Sequence, residues 1–235
     1  MKNYKRILLK LSGEALQGSS SYGVESQQVK EFAEQIKALT DQGLEVSIVL
    51  GGGNIFRGLQ GLESGVSRVK GDQMGMLATV INSMALQAGI ENARGKAQVY
   101  TSVRMEPFAE YYVKEKAQTA MQEGYVTIVA GGTGNPYFTT DSAAALRALE
   151  LETDVLLKGT RVDGIYTDDP EKNKDAVRYE KITYNEALEK RLNVMDMTAF
   201  ALCRDNNLPV IVFDITKPGN LQELLSGKDI GTLVY

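Results

Sequence analysis

The chain has no histidine, a single cysteine and only five prolines among its 235 residues. Without histidine there are no His-based triads, no phosphohistidine intermediates and none of the commonest transition-metal ligand. Cys203 alone can form neither an internal disulfide nor a cysteine metal cluster, which is compatible with a reducing cytoplasm. No apolar run approaches the length of a membrane span, and the run behind the basic tip Met1 to Arg6 is broken at Lys10, so a soluble, untargeted protein is expected. Positive charge is also in short supply. The formal net charge is −4 with the signs interspersed, which disfavours a broad basic face for nucleic acid and leaves any anion to a local pocket. The remaining chemistry must come from lysine, arginine, aspartate, hydroxyls and the backbone.

A Pro/Ser-rich linker is lacking too, so residues 1–235 are expected to form one domain with a substantial core. Short runs rich in Val, Ile and Leu predict strands at Arg6 to Leu11, Glu45 to Leu50, Gln98 to Ser102, Tyr125 to Ala130, Asp154 to Lys158 and Pro209 to Asp214. Their near-continuous apolar character suits strands buried on both faces. Between them Val29, Phe32, Ala33, Ile36 and Leu39 recur at helical spacing, with Ser26 as N-cap and Gly43 just past the end. Helices are also expected at Asp72 to Ala88, Phe108 to Gln122, Ser142 to Leu149 and Thr198 to Asn206, and Thr183-x-x-Glu186 reads as a capping box. Alternating strands and helices imply an α/β fold, a three-layer αβα sandwich around a mostly parallel sheet, with Gly231 to Tyr235 adding an edge strand. Gly58 to Lys70 and Thr160 to Asp175 interrupt this rhythm as long loops, either binding lids or solvated excursions.

Three loops share one grammar. Lys10-Leu11-Ser12-Gly13 ends the first strand, Gly51-Gly52-Gly53-Asn54 ends the second with Arg57 just beyond, and Gly131 to Asp141 joins the fourth strand to a helix. Such loops present bare N–H groups, and a helix start adds partial positive charge, so phosphate is the expected guest. In a parallel sheet, loops that leave the carboxyl ends of strands converge on one crevice. G-x-x-x-x-G-K-[ST] is absent, and Phe56 and Tyr137 stand where G-x-G-x-x-G requires its third glycine, which disfavours P-loop and dinucleotide readings.

Lys10 ends a buried strand, where its charge needs an anionic partner unless it snorkels from the sheet edge. The planar fork of Arg57 suits bidentate phosphate contact. Asp141, at a helix start where Thr139 and Thr140 already offer capping oxygens, could hold Mg2+ or orient Lys10. Asp72 carries the wrong sign for phosphate and suits ribose hydroxyls, or simply a helix start. Lys158, Thr160, Tyr166 and Asp169 follow another strand and could wrap a second nucleotide. Two phosphorylated ligands end to end mean phosphoryl transfer. A phosphate monoester acceptor is largely dianionic at neutral pH and needs no general base, so catalysis reduces to in-line positioning and charge neutralisation.

These segments resemble the amino acid kinase family, and within it the bacterial uridylate (UMP) kinase branch, over essentially the whole chain. The resemblance is carried by Tyr4 to Gly18, Gly51 to Gly58, Gly71 to Thr79, Thr133 to Ala144, Leu157 to Gly164 and Val194 to Asp196. It implies transfer from Mg-ATP to UMP, giving UDP and ADP for pyrimidine nucleotide synthesis. By resemblance, ATP lies against Lys10, Leu11, Ser12, Gly13, Gly53, Arg57, Thr160, Tyr166 and Asp169. UMP contacts Gly52, Asp72, Thr133, Gly134, Asn135, Pro136, Tyr137, Phe138, Thr139 and Thr140. Lys10, Arg57 and Asp141 are then the catalytic set, with Mg2+ accompanying ATP. Tyr166 stands where some relatives have phenylalanine, a change that keeps stacking. The resemblance also implies a cytoplasmic homohexamer, with GTP as activator through the Gly18 to Gly23 region and UTP as inhibitor. Acetylglutamate or carbamate kinases share the glycine loops but are poorly served by Asp72 and the Thr133 loop. A nucleotide sensor without turnover is opposed by the presence of Lys10, Arg57 and Asp141.

Overall fold

The computed structural model describes residues 4–56, 65–168, 170, 172–192 and 194–235. Arg57, Asp169 and residues 58–64 of the first long loop lie outside the described residues. Among the described residues nine strands form one sheet: β1 (Arg6–Leu11), β2 (Glu45–Leu50), β3 (Ala97–Thr101), β4 (Glu110–Tyr111), β5 (Val126–Ala130), β6 (Val155–Thr160), β7 (Lys181–Ile182), β8 (Val210–Asp214) and β9 (Thr232–Val234). Their order is β4-β3-β5-β2-β1-β6-β8-β9-β7, parallel throughout except where β8 meets β9.

The predicted strands fall where the apolar runs lie, because both faces of the sheet are covered. Every residue of β2 is buried, and its acidic Glu45 is paired with Arg6, whose Nε lies 2.6 Å from the carboxylate. On one face pack α1 (Ser26–Thr40), α2 (Arg68–Asn92) and α7 (Asn220–Leu225). On the other pack α4 (Thr140–Glu150), α5 (Tyr184–Glu189) and α6 (Met197–Asp205). The short α3 (Lys114–Gln122) buries Ala117 and Met121 against Tyr100 and Leu151 in a smaller cluster.

Several boundaries differ from expectation for identifiable reasons. The first helix starts at Ser26 with Glu25 as an N-cap lacking a side-chain bond, while Gly43 at φ 83° ends it. There Gly43 N–H donates to Thr40 and Leu44 N–H to Leu39, which satisfies carbonyls the helix leaves open. Asp72 does not begin its helix. Ser67 caps it by accepting from Lys70 N–H, so α2 starts a turn earlier and absorbs Arg68, Val69 and Lys70 from the expected loop. Residues 108–113 are not helical: Glu110 and Tyr111 pair with Tyr100 and Thr101 along the edge of β3. The C-terminal strand is likewise not an edge, since β7 pairs beyond it. Both true edges are thus two-residue strands, too short to template another sheet. The capping box at Thr183 and Glu186 is formed as expected. No helix among the described residues is long and apolar enough to cross a membrane.

Candidate functional site

The path of the chain creates two crevices. The connections from β1 and β2 lead to helices on one face, whereas those from β5 and β6 lead to the other. Adjacent strands therefore diverge to opposite faces at β1/β6 and again at β2/β5, and each divergence opens a cleft at the carboxyl ends of the strands. A cavity of about 920 Å³ lies at the first, lined by Lys10, Ser12, Gly53, Gly159, Thr160 and Arg161 among others. A second of about 570 Å³ lies at the other, lined by Gly52, Gly53, Asp72, Thr133, Asn135 and Thr139 among others. Gly53 belongs to both walls, so the clefts meet at the second glycine loop.

The loops can approach so closely because glycines stand at their contacts. A Cβ on Gly13 would stand 2.7 Å from the Gly51 carbonyl, and one on Gly52 would stand 2.7 Å from the Ala78 methyl and 2.9 Å from the Gly75 carbonyl. Neither approach tolerates a larger residue. Two buried amides lock the arrangement: Asn82 donates to the Gly51 carbonyl at 2.7 Å and to Asn54 Oδ1 at 2.7 Å, and Asn54 donates back to Asn82 at 3.0 Å. Thr79 on α2 accepts from Gly131 N–H at 2.8 Å, tying the third loop to the same helix.

Lys10, in the wall of the larger cleft, belongs to a charged triangle whose other members, Asp141 and Lys158, line neither cleft. Lys10 and Lys158 are register partners on neighbouring parallel strands, so both side chains emerge on one face of the sheet. Asp141, in the first turn of α4, lies between them, with Oδ1 2.8 Å from Lys10 Nζ and Oδ2 2.7 Å from Lys158 Nζ. Lys158 also donates to the Val194 carbonyl at 2.7 Å. Asp141 is spared from capping because Thr139 Oγ accepts the N–H groups of Asp141 and Ser142. Burial alone would raise the Asp141 carboxyl pKa, but the two ammonium groups outweigh it and hold the carboxyl below its usual range. Burial and then the neighbouring Lys10 charge depress the Lys158 ammonium against the attraction of Asp141. The triangle thus carries net positive charge at a helix start, a place suited to an anion.

Asp196 joins the two helices behind this triangle. It caps α6 by accepting from Thr198 and Ala199 N–H, and it accepts from the hydroxyls of Thr139 and Ser142 at the start of α4. Asp72 performs a similar junction at the second cleft. Its Oδ2 accepts from Tyr137 N–H at 2.7 Å, and Arg68 Nε reaches both oxygens at 2.9 Å. Tyr137 has a left-handed φ of 73°, so this carboxylate restrains a backbone conformation that a tyrosine seldom adopts.

The clefts gather the sequence-derived candidates unequally. Lys10, Ser12, Gly53 and Thr160 share the larger cavity, and Gly52, Asp72, Thr133, Asn135, Phe138, Thr139 and Thr140 share the smaller. Gly134, Pro136 and Tyr137 belong to the same third loop but line neither. Leu11 is fully buried, with its carbonyl accepting from Gly51 N–H. Gly13 is buried behind the loops, and Tyr166 lines neither cavity while its hydroxyl donates to Asp163 at 2.6 Å. Residue patterns missed that Lys158 shares Asp141 with Lys10. A signal existed, because β1 and β6 both carry Leu-Leu-Lys at the register that pairs them. The contributions of Arg68, Asn82 and the Thr79 hydroxyl had no comparable signature.

The amino acid kinase family profile matches residues 5–214. The chain belongs to the amino acid kinase family. Among its members, the uridylate kinase of Bacteroides thetaiotaomicron is 56% identical over 235 residues, 100% of each chain. That of Porphyromonas gingivalis is 54% identical over 234 residues, 100% of this chain and 98% of the other. The crystal structure of UMP kinase from Bacillus anthracis superposes with a TM-score of 0.95 at 40% identity, covering 98% of this chain and 96% of that one.

Proposed function

We propose that the chain transfers a phosphoryl group from Mg-ATP to UMP, giving ADP and UDP for pyrimidine nucleotide synthesis. The observation that carries this reading is the pair of clefts that share Gly53, with Lys10 in the wall of the larger and joined through Asp141 to Lys158. The uridylate and UMP kinase names of the full-length relatives supply the substrate pair. ATP occupies the larger cleft with its terminal phosphate toward Lys10, and UMP occupies the smaller with its phosphate against the third loop. The UMP phosphate is dianionic at neutral pH and attacks without a general base. Asp141 is unsuited to that role in any case, since its pKa is depressed and both oxygens face ammonium groups. Its task is to hold Lys10 and Lys158 where charge develops on the migrating group, preorganised and needing no rearrangement. Arg57 is assigned to the same group on its position beyond the second glycine loop.

Mg2+ fits as a companion of the nucleotide. Among the described residues no group of three Asp, Glu, His or Cys side chains could cage a metal, and Asp141 is already engaged. Such an ion, held with the nucleotide, would neutralise charge on the donor tail. A homo-oligomer, hexameric by resemblance, is supported by α2, which exposes Met74, Leu77, Ile81 and Met84 at helical spacing, each 40–52% accessible. A cytoplasmic setting accords with these substrates.

The test is an ADP-release assay on pure protein with Mg-ATP and UMP, CMP, dUMP, acetylglutamate or carbamate. UMP is expected to be the best acceptor. Faster turnover of a carboxylate or carbamate rejects the assignment, and binding of UMP and ATP without ADP release marks a sensor instead.

A further inference from the structure

Behind the third glycine loop lies a buried arginine that the reaction described above does not use. Arg147, on the inner side of α4, is only 6% exposed. Its guanidinium sits 4.2 Å from the centre of the Tyr112 ring, pairs with Glu150 at 2.5 Å, and donates through Nη2 to Ser102 Oγ at 2.9 Å. Ser102 passes the bond onward, its hydroxyl donating to the Gly132 carbonyl at 2.7 Å. A hydroxyl has one proton, so accepting from Arg147 leaves that proton committed to carbonyl acceptors on the loop side.

The target of this chain is a peptide that could easily turn over. Gly131, Gly132 and Gly134 all have positive φ, at 77°, 60° and 81°. Glycine on the N-terminal side of the Gly132–Thr133 peptide frees the Gly132 ψ, so its orientation needs a partner outside the loop. The bond from Ser102 does so. A planar trans peptide with its carbonyl held toward Ser102 directs the following N–H, that of Thr133, to the opposite side. Among the described residues Thr133 N–H has no acceptor, and Thr133 lines the smaller cleft. Turned over, the same peptide would aim a carbonyl oxygen at an anionic phosphate in place of a donor.

We propose that Arg147 and Ser102 form a positioning relay that sets the Gly132–Thr133 peptide so that Thr133 N–H is offered to the phosphate of the phosphoryl acceptor. Neither side chain touches the acceptor. Arg147 also polarises the Ser102 hydroxyl, because a donor that itself accepts from a cation makes a stronger bond. The proposal rests on UMP being the occupant of the smaller cleft.

The test compares wild type, Ser102→Ala, Arg147→Met and Arg147→Lys by UMP titration and by steady-state kinetics in each substrate, with urea midpoints measured alongside. Ser102→Ala is expected to raise both the UMP Kd and the UMP KM by about tenfold, the scale of one hydrogen bond to a charged group, while the ATP KM stays within twofold. Arg147→Met should raise the UMP KM in the same selective way, and Arg147→Lys should recover part of it by restoring a cationic donor. A lowered urea midpoint with equal changes in both KM values would reduce Arg147 to a structural residue and overturn the relay. So would variants that keep the wild-type UMP KM. A wild type that neither binds nor phosphorylates UMP overturns the assignment of the acceptor itself, and the two failures are distinguished by that control.

Discussion

Replacing Asp141 by asparagine removes the anion between two lysines without changing the volume of the site. The three side chains are 14%, 17% and 15% exposed for Lys10, Asp141 and Lys158. Loss of one partner from a pair this deeply set costs about 3–5 kcal/mol, because a buried charge is left unmatched. A lysine can limit that cost by shedding its proton, which from an ordinary value near 10.4 sets a ceiling of about 4.6 kcal/mol at pH 7. The ceiling shrinks to about 1.2 kcal/mol at pH 9.5. The direction follows from linkage. Burial first and Lys10 second already lower the Lys158 pKa, so between its folded and unfolded values the unfolded chain binds the proton better and stability rises with pH. Asparagine removes the attraction that limits this depression. The deficit of the variant is therefore largest near neutrality and falls toward pH 9.5. It also falls below about pH 4, as the wild-type carboxyl, held low by its two lysines, takes up its proton. Urea unfolding of both proteins at pH 7 and 9.5 measures the stability, and ADP release measures the function. We expect Asp141→Asn to lose about 3–4 kcal/mol at pH 7, on the scale of a broken buried pair. It should lose on the order of 10²–10³ in kcat, comparable to removing a preorganised donor. A loss below about 1 kcal/mol at pH 7, or one that does not shrink at pH 9.5, would refute the view of Asp141 as the counterion of this cluster.

The other predictions concern the walls of the two clefts. Lys10→Ala and Lys158→Ala should each lower kcat by on the order of 10²–10³, and a KM effect alone in either would remove it from the transition-state set. Asp72→Asn should chiefly raise the UMP KM, since this carboxylate holds the third loop through Tyr137 N–H; a pure kcat loss in steady-state assays would contradict that role. Gly52→Ala places a methyl within 2.7 Å of Ala78 and should weaken UMP binding sharply, with isothermal titration as the check and wild-type affinity as the contrary result. Asn82→Ala leaves the Gly51 carbonyl without its buried donor and should cost about 1–3 kcal/mol in urea unfolding, whereas an unchanged midpoint would show that the amide pair is dispensable.

What the linear chain determined is the material of this site. Short apolar runs placed β1, β2, β5, β6 and β8 within a residue or two of their observed ends, because strands covered on both faces are mostly apolar at consecutive positions. The same punctuation marked the three loops, since only glycine permits their backbones to approach so closely. Two-residue strands such as β4 and β7 left no pattern to read, being too short for any period to register. Pairing decided the rest. That Lys10 and Lys158 share one carboxylate depends on β6 lying directly beside β1, although 148 residues separate the two lysines in sequence. That Asp72 restrains Tyr137, and that Arg147 reaches Gly132 through Ser102, depends on the helices leaving β2 and β5 on opposite faces of the sheet. Local spacing encodes which groups a segment can offer. Strand order and the side on which each helix packs decide which of those groups meet, and that is where separate polar residues become a lysine pair bridged by one carboxylate.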